Sequence, residues 1–159
     1  MRCDQLALQE NDSLENAAWR SLANAYKTVY THIDSDLRQY GLTPPQYAVL
    51  RIIGRSAKKS LPMSEISREM IATFANVTTI VDNLERRQCV RRVRETRDRR
   101  VVKVELTSEG LGLFTTIFAA HRRQIAKLMH GLTRSELQSL IDFTAKLRDT
   151  IVKRESSEL

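Results

Sequence analysis

This 159-residue chain is poor in the residues that staple small proteins together. Its two cysteines, Cys3 and Cys89, stand far apart in sequence, too few for a disulfide framework and too few for a cysteine-based metal site. No apolar run approaches the ~20 residues that a membrane-spanning helix requires. The opening Met1-Arg2-Cys3-Asp4-Gln5 lacks the basic-then-apolar order of a secretory signal, so the expected location is the cytoplasm, with no membrane partner. The three histidines, His32, His121 and His130, show no HExxH spacing, Gly110-Leu111-Gly112 does not continue into a dinucleotide fingerprint, and no GxSxG occurs. Without those motifs there is no catalytic residue to name, no cofactor and no metal, and the expectation is a protein that is not an enzyme.

What is present is a globular composition and a focused charge. A hydrophobic content of 42% with 28% charged residues is ordinary for a soluble domain, and the length suffices for a core without metal or disulfide support. The formal net charge is +7. Between Leu84 and Lys103 nine basic residues face three acidic ones, a local excess of +6. Concentrated Lys and Arg form the electrostatic footprint of a phosphate backbone, although a solvated basic face or an anionic membrane surface satisfies the same pattern.

Hydrophobic periodicity divides the chain. Leu14, Ala18, Leu22, Ala25, Val29, Ile33, Leu37 and Tyr40 recur every three or four positions, the stripe of one long amphipathic helix that Gly41 stops. Thr43-Pro44-Pro45-Gln46 combines a cap, a proline at the first helical position and a glutamine that reaches back, so a second helix starts at Pro44 and runs to about Gly54. Arg55 to Ser60 reads as a loop. Pro62 opens a short helix with Ile66 and Met70, and Thr73 caps another carrying Val77, Ile80, Val81 and Leu84. The period then changes to two over Val90–Arg94 and Val101–Leu106, a hairpin with the polar tip Glu95-Thr96-Arg97-Asp98-Arg99-Arg100. Thr107 caps a long helix ending near Gly131, and the capping box Thr133-Arg134-Ser135-Glu136 starts the last one, striped by Leu137, Leu140, Ile141, Leu147 and Ile151. There are no internal repeats.

Helix-turn-helix followed by a basic hairpin is the plan of a winged helix, so the fold class is mainly α (α+β), with a β-hairpin wing. On the helix after Thr73 the apolar residues turn inward, leaving Phe74, Ala75, Asn76, Thr78, Thr79 and Asn83 outward. These are short groove-reading side chains: Asn76 suits an adenine edge, and Ala75 or the threonine methyls suit thymine methyls. In the hairpin tip Arg97, Arg99 and Arg100 suit phosphates or a narrow minor groove, while Asp98 suits a bidentate pair with a neighbouring guanidinium. A solvated surface helix and a plain surface salt bridge are the bland alternatives.

The residues Val81-Asp82-Asn83-Leu84-Glu85-Arg86-Arg87, Val90-Arg91-Arg92, Asp98-Arg99-Arg100 and Leu106-Thr107-Ser108-Glu109-Gly110 together resemble the recognition-helix-to-wing signature of the MarR family of transcription regulators. Leu42 to Leu50 resembles the family's second helix, so the resemblance covers about residues 14 to 152. It implies a homodimer held by residues 10–41 and 107–153, with 42–106 as the winged helix-turn-helix lobe of a single interwoven domain. It also implies a repressor of a pseudo-palindromic double-stranded operator, in which the helix after Thr73 reads bases, Asp98 braces the wing and Arg99 or Arg100 enters the minor groove. The resemblance also implies a small aromatic or phenolic effector, which members of the family often sense in a cleft between the dimer helices and the DNA-binding lobe. Trp19, Tyr26, Tyr30 and Tyr47 are candidates to line such a cleft, but aromatics at helical spacing also serve as core, so no effector residue is assigned. Two departures stand out: Gln88 replaces a glycine that ends the recognition helix in a left-handed conformation, and Thr79 replaces a frequent arginine. The alternatives are a sequence-nonspecific architectural DNA-binding protein, a redox-sensing repressor using Cys89 or Cys3, and a winged helix that binds only protein.

Overall fold

A computed structural model describes residues 13–70, 77–95 and 101–157, with side chains as far as Arg154. The chain divides into two units, Met1–His121 and Arg122–Leu159.

In the first unit, α1 (Leu14–Arg38) begins where the Ser13 side chain accepts a hydrogen bond from the Asn16 backbone, and Gly41 follows its last turn at φ +66°. That left-handed turn suits glycine. It is also crowded, because a Cβ on Gly41 would meet Arg87 Nη2 at 3.2 Å. α2 (Pro44–Arg55) carries the expected capping box: the Thr43 N–H donates to Gln46 Oε1 at 2.9 Å while Thr43 Oγ1 accepts from the Gln46 backbone. Its Val49, Leu50 and Ile53 are fully buried, so α2 is the pillar of the core.

The expected loop before the third helix proves to end in a strand. β1 (Ser60–Pro62) pairs antiparallel with β3 (Val102–Leu106), which in turn pairs with β2 (Val90–Arg94), giving the order β1-β3-β2. Pro62 therefore closes a strand as it opens α3 (Met63–Glu69), a place where its missing N–H costs no helical bond. The hairpin register sets Arg91 opposite Glu105 and Arg92 opposite Val104. α4 (Val77–Arg86) turns Ile80, Val81 and Leu84 into the core beside Ile66, Val90 and Val104.

α5 (Ser108–Leu128) starts under Thr107, whose Oγ1 accepts from the Gly110 N–H at 3.0 Å. At Gly110 the helix passes so close to the preceding turn that a Cβ would lie 1.8 Å from the Cys89 carbonyl oxygen. Only a residue without a side chain fits there. In the second unit, α6 (Arg134–Ser157) opens with the predicted box: the Thr133 N–H donates to Glu136 Oε2 at 2.7 Å and Thr133 Oγ1 accepts from the Glu136 N–H at 3.3 Å. Most of the large apolar residues of α6 stay exposed, Phe143 at 71% and Ile141 at 59%. Among the described residues no helix is long and apolar enough to cross a membrane.

Candidate nucleic-acid interface

Helix α4 and the hairpin form one construction, fastened by Arg92. From β2 its Nη1 lies 2.5 Å from Glu85 Oε2 and its Nη2 lies 2.6 Å from Asp82 Oδ1, both carboxylates belonging to α4. The Arg92 backbone N–H donates to Glu85 Oε1 at 2.9 Å, and Nη2 also reaches the Thr78 carbonyl at 3.3 Å. Desolvation works against the Arg92 charge, but hydrogen bonds and fields from Asp82 and Glu85 more than offset it, and the guanidinium is held firmly protonated. One side chain thus fixes the angle between helix and ribbon over nearly two turns of α4.

The end of α4 is held as deliberately. Arg87 donates to the carbonyl oxygens of Gly41 and, at 3.1 Å, Tyr40, tying it to the α1–α2 turn. Gln88 then takes φ +58°, the left-handed conformation that its family-typical glycine would adopt. Its backbone supplies the reason: the Gln88 N–H donates to Glu85 at 2.8 Å and the Gln88 carbonyl accepts from Thr107 Oγ1 at 2.5 Å.

On the face of α4 away from the core, Thr78 and Thr79 are exposed as expected, and Asn83 is half-buried, its Oδ1 accepting from Arg86 Nη2. The other recognition-helix candidates, Thr73, Phe74, Ala75 and Asn76, lie outside the described residues, as do the wing candidates Arg97, Asp98, Arg99 and Arg100. The described neck of the hairpin is closed by a Glu95 N–H to Val101 carbonyl bond of 3.0 Å and by an ion pair between Glu95 and Lys103.

The structure also divides the basic block of the sequence by task. Arg87 and Arg92 hold the scaffold, Arg91 pairs with Glu105 across the ribbon at 3.0 Å, and Lys103 pairs with Glu95. Sequence reasoning missed these roles because every partner lies seven or more residues away, from Glu85, seven before Arg92, to Tyr40, forty-seven before Arg87. Pairing of charges at i and i+7 or i+10 across a helix–strand turn leaves no periodic signature.

Two secondary candidates receive definite places. Cys89 is buried at 4% exposure, and burial pushes its thiol pKa up, the opposite of the exposed, low-pKa environment of a reactive thiolate. Cys3 lies outside the described residues. Among the aromatics, Tyr47 belongs to the core and packs against His121 with ring centroids 4.8 Å apart and the rings tilted by 59°, while Trp19 and Tyr26 are exposed on α1, Tyr26 beside Tyr30 at 5.6 Å. The Tyr47 hydroxyl and Asp36 Oδ2 are buried without a hydrogen-bond partner among the described residues. Burial lowers the His121 pKa, Arg51 pushes it the same way and Asp36 opposes them.

Comparison with known proteins agrees with this construction. The MarR family model matches residues 42–102. The HTH-type transcriptional regulator YkoM of Bacillus subtilis, itself uncharacterized, is 30% identical over 77% of this chain and 79% of its own. Among solved structures, the MarR family regulator Sco3205 of Streptomyces coelicolor in complex with DNA superposes with a TM-score of 0.79, at 23% identity over 87% of this chain and 89% of that one. The organohalide-sensing regulator RdhR-CbdbA1625, in its 2,4-dichlorophenol-bound form, superposes at 0.81, with 17% identity over 94% and 89%. The two structures share the fold, the sequence relative shares the lineage, and the chain belongs to the MarR family of winged-helix transcriptional regulators.

Proposed function

We propose that this regulator is a homodimeric, sequence-specific DNA-binding repressor whose grip on its operator is relieved by a small aromatic or phenolic effector. The observation that carries the reading is the polar, exposed face of α4 at Thr78 and Thr79, held against the hairpin by Arg92 on Asp82 and Glu85. A helix presented this way suits the major groove, with the adjoining ribbon over the phosphates or the minor groove. In this reading Thr73, Phe74, Ala75, Asn76, Thr78 and Thr79 meet base edges, Arg97, Arg99 and Arg100 meet the backbone and minor groove, and Asp98 orients the arginines.

Dimerisation is supported by apolar side chains that neither unit covers by itself. On α1 Leu14 is 78% and Trp19 66% exposed, and α6 exposes Leu140, Ile141, Phe143, Leu147 and Ile151. Exposed apolar side chains in such number on each helix mark an association face. Residues 10–41 and 107–153 form the dimerisation region and 42–106 the DNA-binding lobe, and the assembly works in the cytoplasm. Two recognition helices set ~34 Å apart would engage successive grooves of a pseudo-palindrome. The effector is supported by the dichlorophenol-bound structure of the same fold and by the pairing of Tyr47 on α2 with His121 on α5, where the buried Tyr47 hydroxyl has no hydrogen-bond partner among the described residues. Binding there relieves repression by changing the helix spacing only if the ligand prefers one spacing over the other.

Two substitutions test the assignment of roles. Asn76→Ala is expected to lower discrimination among operators, and Arg99→Ala to weaken all duplexes alike and flatten the salt dependence of binding. If both variants bind like the parent, the groove-facing assignment is wrong.

A further inference from the structure

The recognition face contains a pair, Asn83 and Arg86, to which the roles above assign no base. Thr79, Asn83 and Arg86 stand at i, i+4 and i+7 on α4 and so share one face. Within it Arg86 Nη2 donates to Asn83 Oδ1. We infer that Asn83 is a specificity-determining residue that selects guanine, and that Arg86 dictates the choice by occupying the amide oxygen. This rests on the DNA-binding reading above.

The argument is one of donors and acceptors. A free asparagine amide offers an acceptor and two donors, which is why its usual bidentate partner is adenine, with an N7 acceptor beside an N6 donor. A guanidinium has donors only, so the amide side facing Arg86 is the carbonyl. One of the two lone pairs of that oxygen is taken by the guanidinium and the oxygen is turned to the Arg86 side, so the edge left for Asn83 to present to a base is that of its N–H donors. Guanine, whose N7 and O6 are both acceptors, matches that pattern, whereas the adenine N6 amino group meets no acceptor.

Neighbouring groups leave the pair intact. Arg87 is committed to the carbonyls of Tyr40 and Gly41, and Arg92 to Asp82 and Glu85, so neither competes for Asn83. Asp82 and Glu85, the nearby carboxylates of α4, are in turn held by Arg92 and do not draw Arg86 away. Arg86 retains its other N–H groups for a phosphate oxygen, so docking on DNA need not break its bond to the amide. Thr79, one turn earlier, has a hydroxyl that donates or accepts and imposes no choice of its own.

The test is selection of bound duplexes from a randomised double-stranded library by the full-length protein and its variants. The parent is expected to enrich one guanine per half-site over adenine by roughly 5- to 150-fold, the range of a good bidentate contact. Asn83→Ala is expected to lose the preference at that position alone. Arg86→Ala is expected to move it towards adenine, because the amide oxygen is then free; Arg86→Met, which keeps the aliphatic stem, repeats the measurement if the alanine variant unfolds. The inference is overturned if Asn83→Ala enriches the same bases as the parent, or if both Arg86 variants lower affinity while the guanine stays. A parent that enriches no sequence at all overturns the sequence-specific reading itself, and is told apart by that result.

Discussion

Gln88 and Lys59 occupy the same uncommon backbone conformation, at φ +58° and +52°, and glycine substitution at the two is expected to have opposite effects. A left-handed conformation costs an ordinary L-residue roughly 1 to 2 kcal/mol. Glycine removes that cost but returns about 0.5 to 1 kcal/mol through the greater freedom of its unfolded chain. At Gln88 the side chain is exposed and the native bonds run through the backbone N–H and carbonyl, which glycine keeps. Gln88→Gly is therefore expected to stabilise by about 0.5 to 1 kcal/mol. At Lys59 the backbone gain is similar, but Nζ donates to the Gly54 carbonyl at 2.5 Å in a partly buried setting, closing the end of α2. Losing a charge-assisted bond of ~1.5 to 3 kcal/mol outweighs the gain, and Lys59→Gly is expected to destabilise by roughly 1 kcal/mol. Urea denaturation at constant protein concentration measures both, with unchanged slope as the check that only stability moved. Destabilisation by Gln88→Gly, or stabilisation by both variants, would refute the reasoning.

Two further outcomes follow from the site and the core. Arg92→Ala is expected to cost about 1 to 2 kcal/mol, the lower part of the range for charge-assisted bonds because Asp82 and Glu85 are partly exposed; a double-mutant cycle with Glu85→Gln, read by denaturation, should show coupling near ~1 kcal/mol, and additive losses would deny the clamp. His121 has its folded pKa below the ordinary 6.5, so the unfolded chain binds the extra proton first, and the contribution to stability is complete above 6.5 and lost as pH falls below it. His121→Gln should flatten the stability profile on the acid side of 6.5, and a parent-like slope in that variant would place the titration elsewhere.

How much of this was legible beforehand depended on the range of the interaction. The caps at Thr43, Thr107 and Thr133 and the stop at Gly41 rest on residues within four positions of one another, and each appears in the structure as read. β1 escaped notice because three residues carry no periodicity, and Ser60–Pro62 becomes a strand only by pairing with Lys103–Glu105, more than forty residues later. The Arg87 and Arg92 clamps escaped for a related reason: in sequence they were part of an undivided basic block, and only the turn of chain between α4 and β2 separates scaffold arginines from exposed ones. The exposed threonines of α4 were legible from helical phase alone. The stripes of α1 and α6 were read correctly as apolar; Leu14 on α1 and Leu140, Ile141, Leu147 and Ile151 on α6 are exposed in the subunit and support the expectation of a partner, whereas Leu37 of the α1 stripe is buried in the core.

The most direct measurement is a titration of the protein against the duplex upstream of its own coding region and against a shuffled duplex of equal length and composition, at physiological salt. A sequence-reading regulator is expected to prefer its own duplex by about 1000-fold or more, with two protomers bound per site. Equal affinity for the two duplexes, or one protomer per site, would contradict the account.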